Sequence, residues 1–309
     1  MERGTNPAAD AGLAARARIS FFVGKGGVGK STLASATAVS AALRGERVLA
    51  VSTDQAHSLG DVLGVPVPPT GSWEAVRVLT EEGGGDTGGG HLDALALDTL
   101  ALLETRWRDL TPVLAGRFPE SDLKDIAPEE LSAFPGIQEV LGLHEVAQLA
   151  ASGGWDYVVV DCASTADAMR MLTLPAAFSM YLERAWPRHR RLSAAVDDAR
   201  GAAMVALVEG VAGGVEGLSA LLTDAARVSA HLVLTAERVV AAEAVRTLGS
   251  LALMGVRVAE LIVNQVLAQD DSYEYRNLPD HPAFDWYAER IAEQRTVLGE
   301  LSTTIGDIE

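Results

Sequence analysis

Short apolar runs recur along the chain, and most of them end at a polar or small residue. Their length and their content of Val, Ile and Leu are typical of strands buried on both faces of a parallel sheet. We therefore predict strands at 18–23 (RISFFV), 47–53 (RVLAVST), 155–161 (WDYVVVD), 231–235 (HLVLT) and 257–263 (RVAELIV).

Helical patterns lie between these strands. Residues 33–43 (LASATAVSAAL) form an alanine-rich segment typical of a buried helix, and 239–253 carries a helical pattern before the last strand. Residues 174–230 are predicted to be helical as well. The alternation of strand and helix predicts an α/β fold with a mostly parallel, doubly wound sheet.

The composition supports one large domain over residues 1–309. Of the 309 residues, 48% are hydrophobic, which is enough to bury a sizeable core. The net charge of −17 at pH 7 disfavours a nucleic-acid partner and binding to anionic lipid. The N-terminus lacks the apolar segment of a secretory signal, and Glu209 interrupts the longest apolar stretch. We therefore expect a cytoplasmic protein without a transmembrane helix.

Cys162 is the single cysteine of the chain. One cysteine cannot form an intramolecular disulfide, and it cannot supply the thiolates of a structural zinc site or an iron–sulfur cluster. We therefore expect no zinc, and we interpret Cys162 as a small buried packing residue.

A glycine-rich loop separates the first strand from the first helix. Its sequence GKGGVGKS matches G-x-x-x-x-G-K-[ST] in the strand–loop–helix context of a phosphate-binding loop, although a plain tight turn is the alternative. Glycines let several backbone N–H groups point at phosphate oxygens, Lys30 adds positive charge, and the Ser31 hydroxyl can bind Mg²⁺. The predicted ATP-binding residues of this loop are Gly24, Gly26, Gly27, Val28, Gly29, Lys30, Ser31 and Thr32.

Polar side chains end or follow three of the predicted strands. Asp54 could orient the attacking water and contribute to a Mg²⁺ site, or it could be the N-cap of a following helix. Asp161 ends the strand WDYVVVD, where a carboxylate beside a phosphate loop holds Mg²⁺. Asn264 follows the last predicted strand, at the edge where doubly wound sheets bind ligands.

Lys25 is an additional lysine in the glycine-rich loop, in a chain whose only other lysines are Lys30 and Lys124. It could be a solvated loop charge. However, GKGGVGKST resembles the deviant Walker A loop of the dimeric P-loop ATPases that include MinD, ParA, the nitrogenase iron protein and the arsenite-pump ATPase ArsA. The resemblance implies that Lys25 reaches the phosphates of the facing subunit and acts in catalysis together with Lys30.

Further motifs resemble the ArsA and tail-anchored-protein-targeting (guided entry) branch of this family. The segment STDQAHSLGD is similar to its switch I, and DCASTADAMRML is similar to its switch II. The segments 134–146 (FPGIQEVLGLHEV) and 234–266, which contains V-N-Q, are similar to neighbouring family elements. The resemblance implies that Asp54 is catalytic and that Asn264 binds adenine.

The same resemblance implies a function in client binding. Inserts near 98–150 and 174–230 would form a helical subdomain that carries the client. The implied protein is a Mg-ATP-dependent dimer, either a homodimer or a heterodimer with a related ATPase. It would couple ATP binding and hydrolysis to the binding or targeting of a protein client, for which a membrane-associated protein is one candidate.

Two departures from the family pattern keep other functions open. Gln55 and Ser164 stand where the family's switches carry proline, and losing a residue with fixed φ should loosen a switch. A weakly active or inactive nucleotide-binding subunit of a heterodimer is therefore the alternative function. A MinD- or ParA-like positioning ATPase ranks third, because the tail ELSTTIGDIE is acidic. The lack of further cysteines argues against a zinc clasp and against arsenite binding through thiolates.

Overall fold

The computed structural model has an eight-stranded sheet at its centre. Its strands are β1 Arg18–Val23, β2 Arg47–Ser52, β3 Pro69–Thr70, β4 Val76–Thr80, β5 His91–Leu97, β6 Tyr157–Asp161, β7 Val228–Thr235 and β8 Val258–Asn264. They are arranged in the order β3-β5-β2-β6-β1-β7-β8, and all these pairings are parallel. β4 pairs with β5 in the antiparallel orientation. The predicted α/β fold with a mostly parallel sheet is confirmed.

Helices connect most of the strands. They are α1 Lys30–Leu43, α2 Ser58–Leu63, α3 Ile137–Ala151, α4 Thr165–Ala185, α5 Arg238–Leu253 and α6 Pro282–Ile305. Residues 99–105 and 214–222 are helical as well. Small residues on α1, among them Ala34 and Ala38, are almost fully buried. They allow the helix backbone to lie close to the strands β1, β2 and β6.

The structure describes residues 17–54, 58–80, 89–105, 108, 137–185, 187, 189–190, 214–267 and 282–306. Gln55 and about half of the residues of the two predicted inserts lie outside these ranges. The described parts of the inserts are largely helical, and the boundaries of a helical subdomain stay a prediction.

Two predicted boundaries need correction. α1 begins at Lys30 rather than at residue 33, because the last residues of the glycine-rich loop already form the first helical turn. β7 begins at Val228 rather than at residue 231, so the end of the predicted helical segment 174–230 belongs to a strand. Residues 228–231 alternate between buried and half-buried positions, which is the pattern of a strand.

The sequence pattern missed the strands β3, β4 and β5. The apolar run of β5 (HLDALAL) is interrupted by Asp93, which is nevertheless buried. Its carboxylate accepts hydrogen bonds from the Nε of Arg77 and, at 2.9 Å, from the Nε1 of Trp155. A buried charge is tolerated in a strand when it is paired, and these partners are distant in sequence from Asp93.

Among the described residues, no helix is both long enough and apolar enough to cross a bilayer.

The core should be sensitive to a cavity in a central strand. Leu49 of β2 is fully buried, whereas Leu253 at the end of α5 is 92% exposed. We expect Leu49→Ala to lower the free energy of unfolding by about 3 kcal/mol, through lost burial and an unfilled cavity. The matched control Leu253→Ala should change it by less than about 0.5 kcal/mol. Urea unfolding measures both, and equal effects would contradict the assignment of β2 to the core.

Candidate nucleotide-binding site

The parallel register brings the predicted site residues to one edge of the sheet. Asp161, the last residue of β6, pairs with Phe22 of β1 on one side and with Ser52 of β2 on the other. The glycine-rich loop follows β1, and Asp54 follows β2. The carboxyl ends of three strands therefore meet where open α/β sheets bind their ligands.

The glycine-rich loop needs glycine at two positions for clear steric reasons. Gly29 is the N-cap of α1 and has φ of 94°, in the left-handed region that glycine adopts readily. At Gly24, a Cβ atom would lie 2.2 Å from the carbonyl oxygen of Val233, so only glycine permits this approach to β7. The loop backbone and the N-terminus of α1 together present N–H groups suited to an anion.

An open cleft of about 560 Å³ lies over the loop. Predicted site residues from the loop and from the end of β2 line it together with residues from the switch segments. The lining residues are Gly26, Gly27, Gly29, Lys30, Ser31, Thr32, Asp54, Ser58, Val62, Ala163, Ser164, Asp167 and Gln265. The volume lies in the range of small-molecule sites.

The two lysines of the loop have different environments. Lys30 is buried, and its Nζ donates a hydrogen bond to the backbone carbonyl of Lys25 at 3.2 Å. Lys25 itself is exposed. The main chain at Lys25 thus helps to hold the Lys30 ammonium, while the Lys25 side chain lies at the surface.

Two hydroxyl groups connect the loop to the first switch segment. The Oγ of Ser31 lies 2.9 Å from the Oγ of Ser58, the first residue of α2. The backbone N–H of Asp54 donates to the Oγ of Ser52 at 3.1 Å. The contact between Ser31 and Ser58 places the start of α2 next to the predicted Mg²⁺ ligand Ser31.

Asp161 is the most unusual group of the site. It is 1% exposed, and within the described residues no hydrogen bond of regular geometry reaches either carboxylate oxygen, although the Ser31 hydroxyl lies close enough to favour the charged form. Burial raises the pKa of Asp161 to about 6 because it disfavours the charged form, and the charge of Asp54 adds to this effect. The nearby Ser31 hydroxyl and Lys30 ammonium lower the pKa but offset only part of the shift. A buried carboxylate beside a serine hydroxyl fits the oxygen ligands that Mg²⁺ prefers.

The second switch segment begins with a capping box at the start of α4. The Oγ of Ser164 donates to the Oδ2 of Asp167 at 2.7 Å, and the backbone N–H of Asp167 lies 3.3 Å from the Oγ of Ser164. Arg170 pairs with Asp167 and, at 3.2 Å, with Glu139 of α3. These hydrogen bonds fix the start of α4.

Asn264 lies at the outer side of the loop. Its Nδ2 donates to the carbonyl oxygen of Val28 at 2.9 Å, and the neighbouring Gln265 donates through Nε2 to Gly27 at 3.1 Å. Adenine binding by Asn264 stays a prediction. Sequence reasoning missed Gln265, for which the only signal was its place after a strand end.

Cys162 follows Asp161 and is 1% exposed. Burial raises the pKa of its thiol far above the usual range, so the group is a neutral packing residue, as predicted.

Comparison with known proteins decides the family. A family model described as anion-transporting ATPase (ArsA) matches residues 17–294. The chain belongs to the anion-transporting ATPase family. The resemblance drawn from the loop and switch motifs is therefore confirmed, and this membership agrees with the observed sheet and phosphate loop.

Three relatives illustrate the family match. The chain is 70% identical over 299 residues to Protein Rv2184c of Mycobacterium tuberculosis, covering 97% of this chain and 71% of that protein. It is 30% identical over 262 residues to the arsenical pump-driving ATPase of Escherichia coli, covering 80% of this chain and 39% of that protein. The arsenical pump-driving ATPase of Acidiphilium multivorum is 30% identical over 267 residues, covering 82% of this chain and 40% of that protein. The chain thus spans well under half the length of both pump ATPases.

The raised pKa of Asp161 predicts how the stability of the folded chain depends on pH. The folded protein binds the Asp161 proton more tightly than the unfolded chain does. Proton binding at Asp161 therefore raises the free energy of unfolding at low pH, and this gain is lost as pH rises through about 6. Asp161→Asn removes the buried charge. We expect the variant to be more stable than the unsubstituted protein at pH 8 and nearly equal to it at pH 5, in urea unfolding without nucleotide.

Asp156→Asn is the matched control for this prediction. The Arg47 guanidinium holds the pKa of Asp156 below its usual range, so Asp156 is ionised at both pH values. Asp156→Asn should therefore change the free energy of unfolding by the same amount at pH 5 and at pH 8. An Asp161→Asn effect that does not change with pH would contradict a buried, ionised carboxylate.

Proposed function

We propose that the chain is a Mg-ATP-dependent ATPase that acts as a dimeric switch and couples ATP binding and hydrolysis to a protein client. Family membership supports ATPase activity of the ArsA type. The observation that carries the proposal is the almost fully buried carboxylate of Asp161 beside the phosphate loop, which no hydrogen bond of regular geometry reaches. A negative charge held in this position costs free energy unless a cation is bound next to it.

The residues of the cleft fit a nucleoside triphosphate. The loop N–H groups and the buried Lys30 would bind the phosphates, because they supply fixed positive potential next to the cleft. Ser31 and Asp161 would hold Mg²⁺, with Asp54 close by, and bound Mg²⁺ would neutralise phosphate charge. Asp54 lines the cleft at the end of β2 and would orient the attacking water.

Lys25 supports a composite site between two subunits. Its side chain is exposed, while the buried Lys30 already supplies the positive charge within the chain. A second chain facing the cleft would receive the Lys25 ammonium next to its own phosphates. A charge supplied across a dimer would make hydrolysis depend on assembly.

The alternative is a nucleotide-holding subunit of a heterodimer. It is supported by Ser164, whose capping box with Asp167 replaces the proline of the family's switch II. The hydrogen bonds of a serine cap break more readily than the fixed φ of a proline changes. The start of α4 would therefore move more easily when the γ-phosphate binds or leaves.

The proposed client is a protein rather than arsenite. The names of two relatives connect them to arsenical pumps, but As(III) requires soft thiolate ligands. The single cysteine of this chain is buried in the core and neutral.

Lys25→Ala tests the composite site. We expect ATP turnover to fall by at least about 100-fold, because the charge that stabilises the transition state from the facing subunit is lost. ADP binding and thermal stability should stay unchanged, because the Lys25 side chain is exposed. Arg44→Ala, which removes an exposed cation at the other end of α1, is the matched control and should leave turnover intact. Unchanged turnover in Lys25→Ala would refute the role across the dimer.

Asp54→Asn separates a catalytic role from a capping role. Asn caps helices about as well as Asp, so a capping residue would tolerate this change. A residue that orients or deprotonates water would not, and we expect turnover to fall by at least about 100-fold with ADP affinity retained. Phosphate release at saturating ATP measures the effect. Turnover close to that of the unsubstituted protein would refute a catalytic role for Asp54, which lies four residues before the start of α2 and so is not placed as its N-cap.

A further inference from the structure

A buried glutamine of α6 holds the turn that follows β8. Gln294 is 5% exposed. Its Nε2 donates to the carbonyl oxygen of Gln265 at 3.2 Å, and its Oε1 accepts from the N–H of Leu267 at 2.9 Å. One side-chain amide thus binds both ends of the turn 265–267.

The turn is held in an unfavourable backbone conformation. Gln265 has φ of 56°, and within the described part of the chain it is the one residue other than glycine with a positive φ. A side chain with a Cβ costs free energy in the left-handed region, and such a conformation persists only where the surroundings enforce it. The two hydrogen bonds from Gln294 supply that enforcement.

Two side-chain amides, one from the last residue of β8 and one from the turn, contact the phosphate loop. The Nε2 of Gln265 reaches the carbonyl oxygen of Gly27 at 3.1 Å, and the Nδ2 of Asn264 reaches that of Val28 at 2.9 Å. A Cβ atom on Gly29 would lie 2.3 Å from the same Asn264 nitrogen, which shows how closely this side chain packs on the loop. Both bonds engage loop carbonyls, so the loop N–H groups stay available for phosphate.

α6 is itself anchored on both sides of Gln294. Arg290 pairs with Glu237 at 3.0 Å, and Glu300 pairs with Arg238 at 3.4 Å. Val297, one turn after Gln294, is 2% exposed. The helix therefore provides a fixed support for the turn.

We propose that Gln294 is a positioning residue for nucleotide binding. By holding Gln265 in the left-handed conformation, it fixes the amides of Asn264 and Gln265 on the outer side of the phosphate loop. The loop is thereby set in the conformation that accepts the phosphates of an adenine nucleotide. This inference rests on the proposed function, since it names a residue that prepares the same site.

Gln294→Met tests the inference because methionine keeps the volume of the side chain and removes both hydrogen bonds. The probe is ADP with Mg²⁺, titrated calorimetrically into the full chain, so that neither hydrolysis nor a client enters the measurement. We expect the Kd for ADP to rise about tenfold. Val297→Ala is the control on the same helix: it should lower the melting temperature and leave the Kd unchanged, because Val297 has no bond to the turn.

A double substitution distinguishes positioning from packing. Glycine adopts the left-handed conformation without strain, so in a Gln265→Gly background the added Gln294→Met should raise the Kd by less than about twofold. If Gln294 only packs α6 against the core, Gln294→Met should raise the Kd for ADP by the same factor with and without Gln265→Gly. That result would overturn the inference. An unchanged Kd in Gln294→Met, with ADP bound normally by the unsubstituted chain, also overturns it. If the unsubstituted chain binds no ADP, the proposed function fails and the inference fails with it.

Discussion

The register of the parallel strands is the constraint on which the candidate site depends. β6 lies between β1 and β2, and its last residue, Asp161, pairs with residues of both neighbours. A shift by one residue would turn Asp161 to the other face of the sheet and remove it from the phosphate loop. The same shift would also exchange the fully buried side chains of β1, β2 and β6 between the two packed faces of the sheet, where they would no longer fit their neighbours. The packing of the core therefore determines where the charged groups lie.

The same burial gives the site its electrostatic character. A carboxylate surrounded by strands retains its proton more strongly than one in water, because its charged form is poorly solvated there. The raised pKa of Asp161 reflects this cost of burying the charge. Lys30 and Ser31 offset only a part of it, and the remaining imbalance favours a bound cation. Within the cleft, Lys30 is held by a backbone carbonyl of its own loop, while Lys25 stays exposed. These two placements motivate the division of roles between a charge acting within the chain and one acting across a dimer.

Much of the fold could be predicted from the sequence because its central strands are continuous apolar runs and its phosphate loop has an unusually specific spacing. β5 was missed because Asp93 interrupts its pattern, and the partners that neutralise this carboxylate come from other parts of the chain. Asp161 and Asn264 could be placed at strand ends, but their bonding could not be foreseen. The hydrogen bonds of Gln265 and Gln294 depend on a turn and a helix that meet only in the folded protein. No local pattern reports such a contact.

We propose that two copies of this chain together form the active ATPase. Steady-state ATP turnover per chain, measured over a series of protein concentrations with Mg²⁺ present, tests it most directly. Specific activity should rise with concentration and then level off as dimers become the dominant species. Turnover per chain that stays constant over a series in which the chain passes from monomer to dimer would contradict a catalytic dimer. ATP binding without turnover at any concentration would contradict self-sufficiency and assign the chain to one half of a heterodimer.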